Sequence, residues 1–224
     1  MRVTAVVLAA GRGDRMGGEE NKAFLPIAGV PLLRRAVDAF RHAERVDEVV
    51  VVARPGEEPR VRELLDVPSV RIVPGGRRRR DSAFAGVSAA SGELVLIHDG
   101  ARPFPTQELV GRVIDATIRH GACVPVLPIP DTLRIQGTDG FLTRERPERS
   151  KIVRMQTPQG FQAELIREAI AESADEIPDD AEAVLTFGRP VATVTGEATN
   201  LKVTTPADVP LAEAIAAHWP PTKR

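Results

Sequence analysis

The chain has a single cysteine, Cys123, among its 224 residues. A lone cysteine excludes an internal disulfide, and its apolar neighbours predict a buried core thiol. The formal net charge is only -1, which argues against a bulk attraction to nucleic acid or to an anionic membrane. The sequence also lacks an apolar run long enough to span a bilayer and a cationic leader with a cleavage site. We therefore expect a cytoplasmic protein that binds neither nucleic acid nor membrane.

Lysine is scarce as well, because the basic residues are nearly all arginine. The lysines are Lys22, Lys151, Lys202 and Lys223. Where so arginine-rich a chain still uses lysine, a compact ammonium on a flexible stem can be what the site requires. This consideration singles out Lys22, which follows a glycine-rich segment, and Lys202, which lies in a short apolar stretch.

Short apolar segments alternate with amphipathic helical patterns along the chain. The predicted strands are Val3–Leu8, Val49–Ala53, Val70–Val73, Leu94–Ile97, Ala122–Val126, Val191–Val194 and Leu201–Val203. The main predicted helices are Pro31–Phe40, Glu57–Leu65, one through about Ala90, one from Thr106 (N-cap) to Arg119, Ala163–Ala171 and Asp208–Ala217. Nearly all-apolar strands that alternate with helices predict an α/β fold with a doubly wound, mainly parallel, Rossmann-like sheet. We expect one domain over residues 1–224.

The alternating pattern is interrupted over residues 131–150, where short polar stretches flank Gly137–Gly140. This pattern predicts a protruding β-hairpin arm. Because a hairpin has little core of its own, we expect the arm to pack on a partner subunit in a homodimer.

The first predicted strand leads into a segment of small residues and glycines, Ala9 to Gly18. Because this segment has few bulky side chains, a ligand can approach its backbone closely, and successive N–H groups there suit a phosphate. Arg12, Arg15 and Lys22 add positive charge, so we predict a loop that binds a nucleoside triphosphate.

Two other glycine loops fit this segment poorly. A Walker A loop requires Lys and Ser or Thr after its last glycine, whereas Glu19 and Glu20 follow Gly18. A dinucleotide fingerprint requires a third Gly or Ala, where Met16 stands, and an acid near the end of the second strand, which here ends in Arg54. A strand-to-helix turn with no ligand would also explain the glycines. It is disfavoured because Arg12, Arg15 and Lys22 bring several positive charges to the same segment.

Further polar clusters follow the third, fourth and fifth predicted strands. Since ligands of a parallel sheet bind at the carboxyl ends of its strands, we expect these clusters to form one site with the glycine-rich segment. Asp99 suits a magnesium ion that one carboxylate and substrate phosphates hold, or it pairs with Arg102. Arg102 suits an acceptor phosphate, or forms that ion pair. Lys202 binds a substrate phosphate or extends to solvent.

Two features of the segment after the third strand leave alternatives open. Ser82 contacts a base or ribose, or caps the following helix. Arg77 to Arg80 is a run of four cations, in which Arg79 or Arg80 faces the triphosphate or all lie on a solvated helix face.

Together the motifs resemble those of the 2-C-methyl-D-erythritol 4-phosphate cytidylyltransferase family, within the nucleotidyltransferase superfamily and the non-mevalonate isoprenoid pathway. They are Leu-Ala-Ala-Gly-x-Gly-x-Arg-Met with Lys22, Gly75-Gly76 with Asp81-Ser82, His98 to Pro103, Asp131-Thr132, Gln156 to Phe161, Asp179 to Ala181 and Asn200 to Thr204. The resemblance implies a CTP- and Mg²⁺-dependent homodimer that transfers CMP to a small sugar-alcohol phosphate, with the arm reaching the neighbouring site.

The resemblance also implies a role for each matching residue. Arg15, Lys22 and Lys202 would stabilise charge on the transferring phosphate as catalytic residues. The nucleotide would lie against Ala9, Ala10, Gly11, Gly13, Gly76 and Ser82. The acceptor would lie against Asp99, Arg102, Thr132, Arg149 and Thr157, with Arg149 and Thr157 acting across the dimer or within one subunit.

Three positions depart from the family's pattern: Leu8 and Asn21 replace prolines, and Arg77 replaces an acid, which bears on base choice. The alternative functions are a cytidylyltransferase for another acceptor such as ribitol 5-phosphate, a guanylyl- or cytidylyltransferase of cofactor synthesis, and a non-catalytic nucleotide-sensing module.

Overall fold

The structure is a computed structural model that describes residues 1–11, 21–173 and 177–219. The strands are β1 (Val3–Leu8), β2 (Pro26–Ile27), β3 (Val30–Pro31), β4 (Glu48–Ala53), β5 (Arg71–Pro74), β6 (Leu94–Asp99), β7 (Ala122–Pro128), β8 (Val153–Met155), β9 (Gln159–Gln162) and β10 (Ala192–Thr195). The helices are α1 (Leu32–Arg41), α2 (Glu58–Leu65), α3 (Arg79–Ala89), α4 (Gln107–His120), α5 (Ala163–Glu172), α6 (Asp180–Thr186) and α7 (Asp208–His218). Short 3-10 helices cover Lys22–Phe24 and Arg149–Lys151. Among the described residues, no helix has the length and apolar character that crossing a membrane would require.

Within the described residues, one large sheet has the strand order β10-β7-β9-β6-β1-β4-β5, and β8 pairs with the end of β7. The pairs β1–β4, β1–β6, β4–β5 and β7–β10 are parallel. β9 runs antiparallel between β6 and β7, and β8 runs antiparallel to β7. The predicted α/β fold with a mainly parallel sheet is confirmed.

Both faces of the sheet are covered by helices, because the central strands are apolar on both sides. Val3, Ala5 and Val7 of β1 pack with α1, α2 and α4, while Val6 packs with α3, α5 and α6. Each fully buried valine contributes about 1.5–3 kcal/mol. The two layers hold the central strands in place, which fixes the position of the strand ends where the polar clusters lie.

Cys123 lies in β7 and is fully buried, as predicted from its apolar neighbours. Burial raises the pKa of its thiol to about 11. The thiol is therefore protonated near neutral pH and serves as an apolar core group.

The predicted strand Leu201–Val203 is wrong. This segment has no strand pairing in the structure, and Val203 N–H donates to Ala101 O at 2.9 Å. Ala101 belongs to the turn after β6 and not to a strand, so this bond does not extend the sheet. Propensity alone does not place a strand.

The arm over residues 131–150 contains the predicted turn but little of a paired hairpin. Gln136 and Leu142 form an isolated antiparallel bridge, and Gly137 N–H donates to Phe141 O at 2.8 Å. The two flanking polar stretches are otherwise not strands. This fits a hairpin with few apolar side chains to bury within its own chain.

Candidate active site

The carboxyl ends of three central strands coincide. Leu8 of β1 lies opposite Val52 of β4 and opposite Asp99 of β6. A cleft of about 730 Å³ opens at this edge. Its lining includes the predicted site residues Ala9, Ala10, Gly11, Lys22, Gly76, Ser82, Asp99 and Lys202. The prediction that the polar clusters after separate strands meet in one place is therefore confirmed for these residues.

One wall of the cleft consists of two backbone segments in close contact. A Cβ on Gly75 would lie 2.7 Å from Ala10 Cβ and 2.8 Å from Ser82 Oγ, so only glycine fits there. Gly76 N–H donates to Ser82 Oγ at 3.1 Å. Ser82 is not the helix N-cap, since α3 begins at Arg79 with Arg78 as its N-cap. Its hydroxyl instead holds the segment after β5 against the first turn of α3.

Asp99 is the centre of a charge cluster at the base of the cleft. Its Oδ2 lies 2.8 Å from Lys202 Nζ and 3.7 Å from Arg102 Nε, and its Oδ1 lies 3.9 Å from Arg79 Nη2. Burial alone would raise the pKa of Asp99, but the charges of Lys202 and Arg79 outweigh it and hold the pKa well below the usual range. The carboxylate is therefore ionised at physiological pH.

Lys202 is neither deeply buried nor free in solvent. Its side chain is 37% exposed and lines the cleft, and its ammonium pairs with Asp99. Because water reaches the group from one side, the ammonium remains available to a phosphate in the cleft. Lys202 therefore lines the cleft in an ion pair rather than extending freely into solvent, and its binding of a substrate phosphate stays a prediction.

Arg79 faces the cleft and is held from below by Asp180. Its two terminal nitrogens donate to the two carboxylate oxygens of Asp180 at 2.8 and 2.7 Å, and Asp180 is fully buried. Burial works against the Arg79 charge, but the Asp180 carboxylate outweighs it and raises the Arg79 pKa. Arg80, by contrast, donates to the carbonyls of Ser173 and Ile170. Asp180 belongs to one of the sequence motifs, but sequence reasoning gave it no role, because its partner Arg79 is 101 positions away.

Arg102 lies below the cleft rather than in its lining. Its Nη1 donates to Asn200 O at 2.8 Å, and its side chain is 11% exposed. Asn200, fully buried, donates through Nδ2 to Thr157 O at 2.8 Å. These contacts connect the end of β6 to the segment that carries Lys202. Sequence reasoning gave Asn200 no role, because its partner Thr157 is 43 positions away.

His98 and Thr157 form a directional hydrogen-bond chain beneath Asp99. His98 Nε2 lies 2.9 Å from Arg102 O, so it donates, because a carbonyl only accepts. Thr157 Oγ1 lies 3.1 Å from His98 Nδ1 and accepts the Asp99 N–H at 3.1 Å. Burial lowers the pKa of His98 to about 4, consistent with a neutral ring. Thr157 thus acts on Asp99 within its own chain.

Lys22 approaches the same cleft from the opposite side. It begins the 3-10 helix Lys22–Phe24, and its Nζ lies 3.4 Å from Val203 O. Since Val203 directly follows Lys202, the two lysines lie close together in the cleft lining. The predicted convergence of Lys22 and Lys202 is confirmed as geometry.

Two predicted acceptor residues lie away from this cleft. Thr132 is exposed in the arm, and Arg149 Nη1 donates to Pro130 O at 2.9 Å. Arg149 lines a separate open groove of about 1050 Å³ beside β7 and β10. Gly13 and Arg15 lie outside the described residues, so their roles stay predictions from sequence.

The residues around the cleft fit one kind of metal site. The part of the chain that the structure describes contains no group of three or more His, Cys, Asp or Glu arranged to hold a metal. Among the described residues that line the cleft, Asp99 is the one acidic residue. A single ionised carboxylate suits magnesium when substrate phosphates and water supply the other ligands.

A mainly parallel sheet with a cation-lined cleft, closed on one side by glycine-rich backbone, defines an α/β nucleotidyltransferase. The family model described as 2-C-methyl-D-erythritol 4-phosphate cytidylyltransferase matches residues 3–218. A protein of that name from Thermus thermophilus is 44% identical, over 98% of this chain and 99% of the relative. One from Geobacillus kaustophilus is 39% identical over 97% of this chain and 98% of the relative.

Solved structures agree with these sequence relatives. The crystal structure of 2-C-methyl-D-erythritol 4-phosphate cytidylyltransferase from Thermus thermophilus has a TM-score of 0.82 and 41% identity, over 97% of this chain and all of that one (100%). The 4-diphosphocytidyl-2C-methyl-D-erythritol synthase of Anaerococcus prevotii has a TM-score of 0.84 and 30% identity, over 96% of both chains. The chain belongs to the 2-C-methyl-D-erythritol 4-phosphate cytidylyltransferase family.

Proposed function

We propose that this protein transfers CMP from CTP to 2-C-methyl-D-erythritol 4-phosphate, forming 4-diphosphocytidyl-2-C-methyl-D-erythritol and pyrophosphate. Membership of the family supports both substrates. The observation that carries the reaction type is the approach of Lys22, Lys202 and Arg79 to one cleft beside the open backbone of Ala9–Gly11. Such an arrangement of cations and N–H groups suits a triphosphate and a second phosphate together.

The reaction is an in-line displacement at the α-phosphorus of CTP. An oxygen of the acceptor phosphate forms a new bond to the α-phosphorus, and the bond to the bridging oxygen of the β-phosphate breaks. The electron pair leaves with pyrophosphate. The attacking oxygen already carries negative charge, so no general base or covalent enzyme intermediate is required.

Positioning and electrostatics supply the catalysis in this mechanism. Lys22 and Lys202, with Arg15 by resemblance, offset the negative charge that builds up around the α-phosphate. Asp99 holds the Lys202 ammonium at 2.8 Å, which directs it into the cleft. Ser82 and Gly76 form the wall against which the nucleoside lies, while Arg102 and Thr157 fix the Asp99 backbone and side chain from below.

We also propose that the enzyme depends on magnesium. Asp99 would hold the ion together with the substrate phosphates, and the ion would neutralise phosphate charge. The ionised state of Asp99 supports this assignment, since a metal ligand must be deprotonated.

A homodimer built through the arm is the proposed assembly. Its support is the exposure of apolar arm side chains, with Phe141 74% and Leu142 69% exposed. Thr132 and Arg149 lie outside the cleft of their own chain, and in such a dimer they would contribute to the acceptor site of the neighbour. The cytoplasmic location stays a prediction from sequence.

The proposal is tested by measuring pyrophosphate release from the purified protein with Mg²⁺, 2-C-methyl-D-erythritol 4-phosphate and each nucleoside triphosphate in turn. We expect release with CTP, and loss of release when acceptor or metal is omitted. Lys22→Ala is the catalytic variant. The control for removing an ammonium group is Lys151→Ala, because Lys151 is exposed and paired with Glu148.

Each contrary outcome identifies a different error. Release with ribitol 5-phosphate but not with methylerythritol 4-phosphate would keep the mechanism and discard the acceptor. Release with another triphosphate would contradict the assignment of cytosine as the base. This outcome is tested because Arg77 replaces the acid of the family's pattern, which bears on base choice. Binding of CTP without release under any condition would indicate a nucleotide-sensing module instead.

A further inference from the structure

Asn21, immediately before Lys22, has a buried amide side chain. The hydrogen bonds of this amide join it to main-chain groups and to a carboxylate. It is 3% exposed. Its Nδ2 donates to Ala9 O at 2.8 Å and to Glu57 Oε2 at 2.7 Å, and its Oδ1 accepts Ala23 N–H at 3.0 Å. Because Ala9 O and the carboxylate only accept and Ala23 N–H only donates, the orientation of the amide is determined.

Glu57 also links Asn21 to Gly11, in the segment that follows β1. Its Oε1 lies 3.4 Å from Arg54 Nη1, and Arg54 Nη2 donates to Gly11 O at 3.0 Å. The Asn21–Glu57–Arg54 network therefore connects Gly11 with Asn21, the two residues that flank positions 12–20. Ala9 N–H in turn donates to Val52 O at 2.8 Å, so the network is anchored on the central sheet.

The network bears directly on the position of Lys22. Asn21 is the N-cap of the 3-10 helix that Lys22 begins, and its φ and ψ are -64° and 119°. A helix of three residues has little stability of its own, so the cap and its contact to Ala9 determine where the Lys22 backbone lies. A displacement of about 1 Å at a catalytic group is enough to slow a positioned reaction severely.

We propose that Asn21 is a positioning residue, which holds Lys22 at the cleft by joining it to Ala9 and, through Glu57, to the β4–α2 connection. This inference rests on the proposed function, in which Lys22 offsets phosphate charge. Asn21 itself contacts no reacting atom in the proposed reaction. We expect its effect on kcat to pass mainly through Lys22.

The test is a double-variant cycle of Asn21→Ala and Lys22→Ala, with kcat and the KM for CTP measured by pyrophosphate release. We expect Asn21→Ala to lower kcat by about tenfold or more with a smaller change in KM. The double variant should be no slower than Lys22→Ala alone, because a positioning residue has nothing left to position. A merely structural role would instead give additive losses.

A charge swap tests the Asn21–Glu57 contact without removing a side chain. Asn21→Asp keeps the acceptor for Ala23 but removes the donor to Ala9 O and sets a carboxylate against Glu57, and we expect kcat to fall. Adding Glu57→Gln supplies a donor to the new carboxylate and should restore part of that loss, because only the contact with Ala9 O then stays broken. Glu58→Gln, which alters the acceptor of the Gly56 N–H at 2.7 Å, is the neighbouring control and should leave kcat unchanged.

The outcomes separate this inference from the proposed function. Native kcat in Lys22→Ala would overturn the role of Lys22 and the inference with it. A large loss in Lys22→Ala with native kcat in Asn21→Ala, additive losses in the double variant, or no recovery in the charge swap would overturn the inference alone.

Discussion

Replacing Asp180 with Asn tests whether the buried ion pair beneath the cleft stabilises the fold. In the native protein both carboxylate oxygens accept from Arg79, at 2.8 and 2.7 Å, and Asp180 is fully buried. Asn has the same shape but one oxygen, so one Arg79 N–H loses its acceptor and the guanidinium loses its counter-charge. Removing one partner of a buried pair costs about 3–5 kcal/mol.

The exposure of Arg79 sets the expected value within that range. Its side chain is 30% exposed, so water in the cleft solvates part of the charge that Asp180 no longer balances. Asp99 also remains 3.9 Å from Arg79 Nη2 and offsets part of the loss. We therefore expect the free energy of unfolding to fall by about 3 kcal/mol, the lower end of the range.

The measurement is urea unfolding at neutral pH, with the midpoint and slope followed by circular dichroism. Asp81→Asn is the matched control. Asp81 pairs with Arg78 at 3.0 Å near the start of the same helix, but its side chain is 31% exposed and that of Arg78 is 43% exposed, whereas Asp180 is fully buried. An exposed pair of this kind contributes less than about 1 kcal/mol. If Asp180→Asn loses no more stability than Asp81→Asn, the reasoning from burial is refuted.

Further substitutions and conditions probe the cleft and the core. Lys202→Ala should lower kcat by about 100-fold, comparable with losing one oxyanion-hole donor, and a kcat within twofold of native in the pyrophosphate assay would contradict its role. The buried His98 has a pKa of about 4, below its usual value of about 6.5 in an unfolded chain, so the unfolded state binds more protons between these values. Stability should therefore be fully present above pH about 6.5 and fall by about 3 kcal/mol as the pH drops through 4. Urea unfolding over this pH range should show a flatter profile in His98→Gln, and an unchanged slope would exclude His98 as the cause. Because its pKa is raised to about 11 and its side chain is buried, Cys123 should react with a thiol reagent only when urea unfolds the protein. Rapid labelling of the native protein would contradict this placement.

The sequence predicted the central fold well because each of its signals is local. Alternating apolar strands and helical patterns do not depend on distant partners. The helix N-cap predicted at Thr106 is confirmed, since its side chain accepts Leu109 N–H at 3.0 Å. The common edge of the polar clusters followed from the topology of parallel strands. Leu201–Val203 was misassigned since strand formation depends on an available partner rather than on propensity.

The contacts that organise the site were harder to predict. Lys202 meets Asp99, and Asp180 meets Arg79, across separations of about a hundred residues that no periodicity encodes. β8, β9 and α6 are three, four and seven residues long, too short for a strong pattern. His98 and Asn200 resemble ordinary polar loop residues in sequence, and only their burial reveals their connecting function.

The antiparallel direction of β9 has a consequence for how this protein can vary. β9 begins beside the end of β6, where Gln159 lies opposite Ile97, so the chain leaves the cleft edge after β7 and returns to that same edge before β9. Residues 129–152, which precede β8, form a detour whose length does not alter the register of any central strand. Because the cleft is lined by residues before this detour and by Lys202 after it, the detour can change in length and sequence without moving the cleft.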